Sequence, residues 1–219
     1  EVEITLEANP NSLNRSKLLS FRDAGINRIS IGAQSFSKRF LNFLGRDHSA
    51  NEAKRNIEHA RKIFNNVSFD LIYAMPNQTI YEWERTLETA LQFEPDHLSL
   101  YQLTIEKGTV FYQMFRKGTL LPMDNDLASE MYSVTENLTQ KNKIPAYEVS
   151  NYSKEGRNCY HNLNYWEAGD WLGIGPGAVS RFFYNNKRTQ VDVRKDPNGW
   201  LNSMKIHSNG IKSVHSETI

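Results

Sequence analysis

Two acids, an amide and a guanidinium recur at comparable places along the chain: Glu7, Asp70, Gln34 and Arg46. Glu7 closes the alternating run Val2-Glu3-Ile4-Thr5-Leu6-Glu7, Gln34 follows the apolar-polar run from Asn27 to Ala33, and Asp70 lies in Val67–Tyr73. Arg46 comes just after the short amphipathic piece Ser37–Leu44. Carboxylates and an amide oxygen accept hydrogen bonds from hydroxyls or an amine, whereas a guanidinium pairs in a fork with a carboxylate. Converging from separate strands, such groups suit a small polar ligand. Solvated strand ends and a surface turn would show the same residue types, and spacing alone leaves both readings open.

The elements that position these residues alternate. Strand patterns run over Val2–Glu7, Asn27–Ala33, Val67–Tyr73 and His97–Leu103, about 30 residues apart, the length of a βα unit. Between them, a helix from Ser12 to Ala24 turns Leu18 and Phe21 inward and stops at Gly25. Ser49 with Glu52 and Thr79 with Glu82 form capping boxes that start two further helices, the first carrying Ala53, Ile57, Ala60 and Phe64 and the second Trp83, Leu87 and Ala90 at core spacing. Asp124 caps another, with Leu127, Met131, Val134 and Leu138 on one face. This order predicts parallel strands with right-handed crossovers and a ligand at the strands' C-terminal ends. An open sheet and a barrel are equally compatible with it. Beyond Ala146 the character changes to a polar loop over Asn151–Asn162, then Trp166, Trp171 and the glycines Gly173, Gly175 and Gly177, then a hairpin over Ser180–Val193 turning at Asn185-Asn186.

Composition narrows the function classes. Of 219 residues, 39% are apolar and 23% charged, enough for a packed core, and the formal net charge of +1 offers no basic field for a nucleic-acid backbone. No run approaches the roughly 20 apolar residues of a membrane span. The one cysteine, Cys159, excludes an internal disulfide framework and any site built from several cysteines of this chain. A first residue already inside a strand pattern, and a polar stretch from His207 to Ile219, suggest a piece of a longer protein.

Four stretches carry a resemblance: Glu3 to Pro10 (EITLEANP), Gly25 to Phe36 (GINRISIGAQSF), Asp70 to Pro76 (DLIYAMP) with Gln78-Thr79, and His161 to Trp166 (HNLNYW) with Gly173 to Ala178 (GIGPGA). Together they closely resemble the oxygen-independent coproporphyrinogen III oxidase-like branch of the radical S-adenosylmethionine (SAM) proteins. The HN-x-x-YW motif is similar to that of its heme chaperone subgroup.

The resemblance implies an α/β fold, a partial (βα)6 TIM-like radical SAM barrel incomplete at its N-terminal side. Residues 1–150 would supply βα units from the third strand onward, 151–200 a closing segment, and 201–219 a linker towards a further domain. By motif, Glu7 would hold the ribose hydroxyls of SAM, Gln34 and Asp70 would line the same pocket, and Arg46 would meet the methionyl carboxylate. Thr104 and the Gly173–Ser180 turn would border the adenine. His161 becomes the candidate heme contact, with Tyr165 and Trp166 either packing on porphyrin or pinning a long loop. The family's [4Fe–4S] cluster needs three thiolates in a C-x3-C-x2-C run, and that run is not in this sequence, so no metal ligand and no catalytic residue is assigned. The implied function is heme binding and transfer in the cytoplasm, with heme or porphyrin and a heme-acceptor protein as partners. The alternatives are an oxygen-independent coproporphyrinogen III oxidase or a fragment without function, so whether the chain serves an enzyme is left open.

Overall fold

Alternation of apolar and polar residues along four strands sets the architecture. The computed structural model describes residues 2–218, in which β1 (Thr5–Ala8), β2 (Arg28–Gln34), β3 (Val67–Tyr73) and β4 (His97–Gln102) pair in parallel, in sequence order. A fifth strand, β5 (Asn151–Ser153), runs antiparallel on β4. The crossovers are helical: α1 (Arg15–Asp23), the pair α2 (Lys38–Phe43) and α3 (Ala50–Arg61), and α4 (Ile80–Leu91). After β4 come α5 (Val110–Arg116) and α6 (Asn125–Lys141).

One face of the sheet is apolar. Ile29 and Ile31 of β2, Phe69 and Leu71 of β3, and Leu98 and Leu100 of β4 form a single core with Leu18, Ile57, Trp83, Leu87 and Met131 of the helices. Trp83 is fully buried, stacks on Tyr73 at 5.0 Å and donates its indole N–H to Thr135 Oγ1 at 2.8 Å, tying α4 to α6. Both capping boxes form in full: Ser49 and Thr79 accept from the backbone of Glu52 and Glu82, whose carboxylates return to the cap N–H groups. Parallel strands with helices over one face make an arc of the (βα) barrel, as expected.

The described chain divides into two compact units, the first ending at Asn158 and the second beginning at Cys159. The second unit contains α7 (Tyr160–Trp166), a three-stranded antiparallel meander of β6 (Val179–Tyr184), β7 (Lys187–Val193) and β8 (Ile211–Thr218), and α8 (Pro197–His207) between the last two strands. The expected hairpin is present, and its turn residues Asn185 and Asn186 both have positive φ, 49° and 58°, as a two-residue hairpin turn of right-handed twist requires.

Three expectations are corrected. The polar stretch from 151 contains a strand, because Tyr152 is buried and the β4 ladder supplies its backbone partners; residues 151–158 therefore belong with the first unit, not with a closing segment. The HN-x-x-YW motif lies on a helix rather than in a loop. Residues 201–219 are not a linker over their described part: they finish α8 and form β8, a mostly polar strand that owes its form to pairing with β7. Among the described residues, no helix is long and apolar enough to cross a membrane.

Candidate functional site

The inner face of the parallel sheet, opposite the helices, is polar. Period-two alternation that sends Ile29, Ile31, Phe69 and Leu71 outward to the helices sends Arg28, Ser30, Gln34, Ser68 and Asp70 the other way. The register sets Glu7 beside Ser30 and Asp70 beside Ser99. Ser30 Oγ donates to Asp70 Oδ1 at 3.1 Å.

Asp70 is the electrostatic centre of this face. Desolvation pushes its carboxyl up to about 6, and the charge of Glu7 adds to the rise. The hydroxyls of Ser30 and Ser99 and the guanidinium of Arg28 act in the opposite direction. Its ionisation therefore changes just below neutral pH, where a small change of surroundings decides whether it accepts or donates.

A second group gathers at the C-terminal ends of β1 and β2. Gly32 leaves room for the Gln34 side chain: a Cβ there would stand 2.9 Å from Gln34 Nε2, with Ala8 O and Asn9 Oδ1 each 3.8 Å away. Gln34 has a φ of 63°, which folds the strand end over that space. Arg46 Nη1 donates to Asn9 Oδ1 at 3.4 Å, so the guanidinium reaches the end of β1 from the loop after α2. Arg46 thus reaches the end of β1, Gln34 lies over Gly32 at the end of β2, and Asp70 and Glu7 face the inner side of the same sheet. Thr104 is occupied in its own turn, donating to Gln102 O at 3.3 Å.

Beneath lies a buried polar layer. His97 shares hydrogen bonds with Ser68 Oγ and with Tyr147 OH, both at 2.8 Å, and burial pushes its imidazole down to about 3, so it is neutral. Buried Arg28 donates to Thr5 Oγ1 at 3.3 Å. His48 is a staple, its Nε2 set 3.0 Å from Ala33 O. Sequence reasoning picked the strand-end residues but missed Asn9, Arg28, Ser30 and Ser99. The signal was available: in R-I-S-I-G-A-Q and H-L-S-L-Y-Q every second residue is polar or glycine over a central strand, which means that both faces are used differently.

In the second unit, α7 carries His161, whose exposed ring meets Tyr165 edge-on at 4.7 Å, and Tyr165 in turn contacts Trp171 at 4.3 Å. Trp166 is 61% exposed. The glycine motif has backbone duties. A Cβ at Gly173 would collide with the Val179 backbone, and Gly175 and Gly177 have φ of +101° and +78°. Ser180 Oγ accepts from the Gly173 N–H at 2.9 Å, fastening the turn to β6.

Residues 1–90 match the model of the radical SAM superfamily. The chain is 39% identical over 216 residues to the radical S-adenosyl methionine domain-containing protein 1, mitochondrial, of Mus musculus, covering 96% of this chain and 49% of that protein. It is 37% identical over 210 residues to the heme chaperone HemW of Escherichia coli, covering 95% of this chain and 54% of the relative. With HemW of Bacillus subtilis the identity is 38% over 177 residues, 80% of this chain and 47% of the relative. The fold matches that of the E. coli coproporphyrinogen III oxidase HemN with a TM-score of 0.81 at 20% identity, over 99% of this chain and 52% of that chain. The chain belongs to the radical SAM family, whose model its first 90 residues match, and over most of its length it is similar to these heme chaperones. It spans about half the length of the curated relatives it matches.

Proposed function

We propose that the complete protein is a heme-binding and heme-transfer chaperone that holds SAM on the inner face of its parallel sheet. The observation that carries the heme assignment is α7, which presents an exposed imidazole, His161, edge-on to the ring of Tyr165, with Tyr160 and Trp166 also exposed on the same helix. A neutral imidazole is a common axial ligand of heme iron, and aromatic rings pack on a porphyrin plane. The names of the E. coli and B. subtilis relatives support the same reading.

The donor set on the sheet fits SAM. Glu7 offers a carboxylate to the ribose diol, Gln34 and Asp70 add acceptors for hydroxyl and ammonium groups, and Arg46 offers the fork that a methionyl carboxylate needs. Bound SAM would supply a sulfonium-activated carbon, while the chain's own residues bind and orient it. Ionised, Asp70 accepts through both oxygens and attracts an ammonium, so capture should strengthen as pH rises through about 6. The [4Fe–4S] cluster does not fit the residues present. It takes three thiolates, this chain has one cysteine, and among the described residues no group of three His, Cys, Asp or Glu could hold a metal. The chain itself, loaded anaerobically with iron and sulfide, should therefore show no stoichiometric cluster absorbance.

Hemin titration of the full-length protein tests the chaperone reading. We expect a Soret shift that His161→Ala weakens, and an unchanged spectrum and affinity would make this histidine structural. The HemN-like fold favours one competing reading, oxygen-independent coproporphyrinogen III oxidase. Turnover of coproporphyrinogen III by the complete protein would establish that reading instead. A cytoplasmic location and a heme-acceptor protein as partner complete the proposal; the name of the mouse relative points to mitochondria for that protein.

A further inference from the structure

Resting on the SAM reading of the inner face, we propose that Ser30, backed by Ser99, is a positioning residue that clamps the Asp70 carboxylate between β2 and β4, so that it faces the ligand as an oriented acceptor. Ser30 Oγ donates to Asp70 Oδ1 at 3.1 Å, and Ser99 is the residue opposite Asp70 in the β3–β4 register. Both serines are buried, 6% and 5% exposed, in central strands where β-branched apolar residues are the usual occupants. A buried hydroxyl needs a partner. Here two hydroxyls on neighbouring strands flank one acid.

The charges around Asp70 show what the clamp counters. Glu7 on β1 repels its anion and burial disfavours the ionised form, while Arg28 on β2 and the two hydroxyls favour it. Tyr101 on β4 faces the same group, with its phenol raised by burial and by the charges of Asp70, Glu148 and Glu7. Without the hydroxyl donors, the carboxyl keeps its proton to higher pH and loses the bond that fixes its plane. A protonated, freely rotating acid can donate where the ligand also donates, and recognition fails.

The test uses the full-length protein with S-adenosylhomocysteine as probe, its affinity measured by calorimetry from pH 5.5 to 8. A parallel NMR titration follows the Asp70 carboxyl carbon in ligand-free protein. Wild-type affinity should rise with pH through about 6. Ser30→Ala should bind about five- to tenfold more weakly at pH 7, the size of one ordinary hydrogen bond. Its binding midpoint and its Asp70 titration should both move to higher pH, and adding Ser99→Ala should move them further. Ser30→Thr, which keeps the hydroxyl, should restore the wild-type profile. An unchanged pH profile in Ser30→Ala, or a pH-independent loss that Thr does not rescue, would overturn the clamp. Should the wild type bind no probe at any pH, the SAM reading fails by itself. The ligand-free titration then still decides: a midpoint raised in Ser30→Ala supports the clamp and an unmoved one rejects it.

Discussion

Among the described residues the first unit alone buries aromatic rings fully, although it also exposes Tyr81, Tyr101 and Phe115. In the parallel-sheet unit Phe69, Trp83 and Tyr152 are fully buried, whereas in the antiparallel unit Tyr160, Tyr165, Trp166, Phe183 and Tyr184 are all exposed. The physical difference is layering. A sheet with helices packed along one face encloses large rings between two layers, while a three-stranded meander with two short helices is too small to cover them. Buried polar groups also concentrate in the first unit. The first unit buries Ser68, His97, Ser30 and Ser99 in a hydrogen-bonded inner face, a costly arrangement that only satisfied partners make tolerable. The lesson is that an exposed ring in the second unit and a buried hydroxyl in the first are the departures from ordinary packing, and both functional proposals rest on them.

The largest effect should separate the units directly. Trp83→Ala removes a fully buried ring, a stack and a hydrogen bond to Thr135, and should cost about 3–5 kcal/mol in urea unfolding. Trp166→Ala, on an exposed ring, should stay within about 0.5 kcal/mol. Similar losses for both would break the comparison.

Asp70 gives the next effect, with a sign opposite to most substitutions. Its carboxyl is raised from 3.8 to about 6, so the folded state holds a proton that the unfolded chain has released, and stability falls as pH climbs between those values. At pH 8 Asp70→Asn should therefore stabilise the fold by about 1–3 kcal/mol while weakening capture of the adenosyl ligand. Thermal melts of both proteins at pH 4 and pH 8 check the sign, since the gain should shrink at the lower pH.

His97 works in the other direction. Its imidazole falls from 6.5 to about 3 on folding, so its contribution is complete above 6.5 and is lost progressively as pH falls toward 3. Between pH 6 and pH 4, wild type should lose up to about 1.4 kcal/mol per pH unit through this group. His97→Gln should be less stable at pH 7 but show a flatter acid limb, measured by chemical unfolding. The smallest effect belongs to the second unit. Asn186→Gly at the hairpin turn, where φ is 58°, should raise stability by a few tenths of a kcal/mol, read from the midpoint of unfolding.

Much of the first unit was legible because its signals are local. Ser49 with Glu52 and Thr79 with Glu82 satisfy helix N–H groups within four residues, so their presence in sequence nearly dictates their presence in the fold. Val67–Tyr73 was legible to the residue, since a buried central strand must be continuous and bounded. The strands β5 and β8 were not legible. Asn-Tyr-Ser and a run such as Ile211-Lys212-Ser213-Val214-His215 contain no periodic apolar signal, and their form comes from the neighbouring ladder. The helix under HN-x-x-YW was missed because no side-chain cap at Cys159 announces it.

The sequence by itself determined the βα order, the capped helices, the family motifs and the residue types at the strand ends. These depend on contacts within a few residues or on chemistry carried by single side chains. Only the tertiary structure decided that Arg46 reaches the end of β1, that Ser30 and Asp70 share a hydrogen bond across strands, and that Trp166 faces solvent. Each of those depends on register between segments far apart in the chain, and register is set by the packing of the whole sheet against its helices.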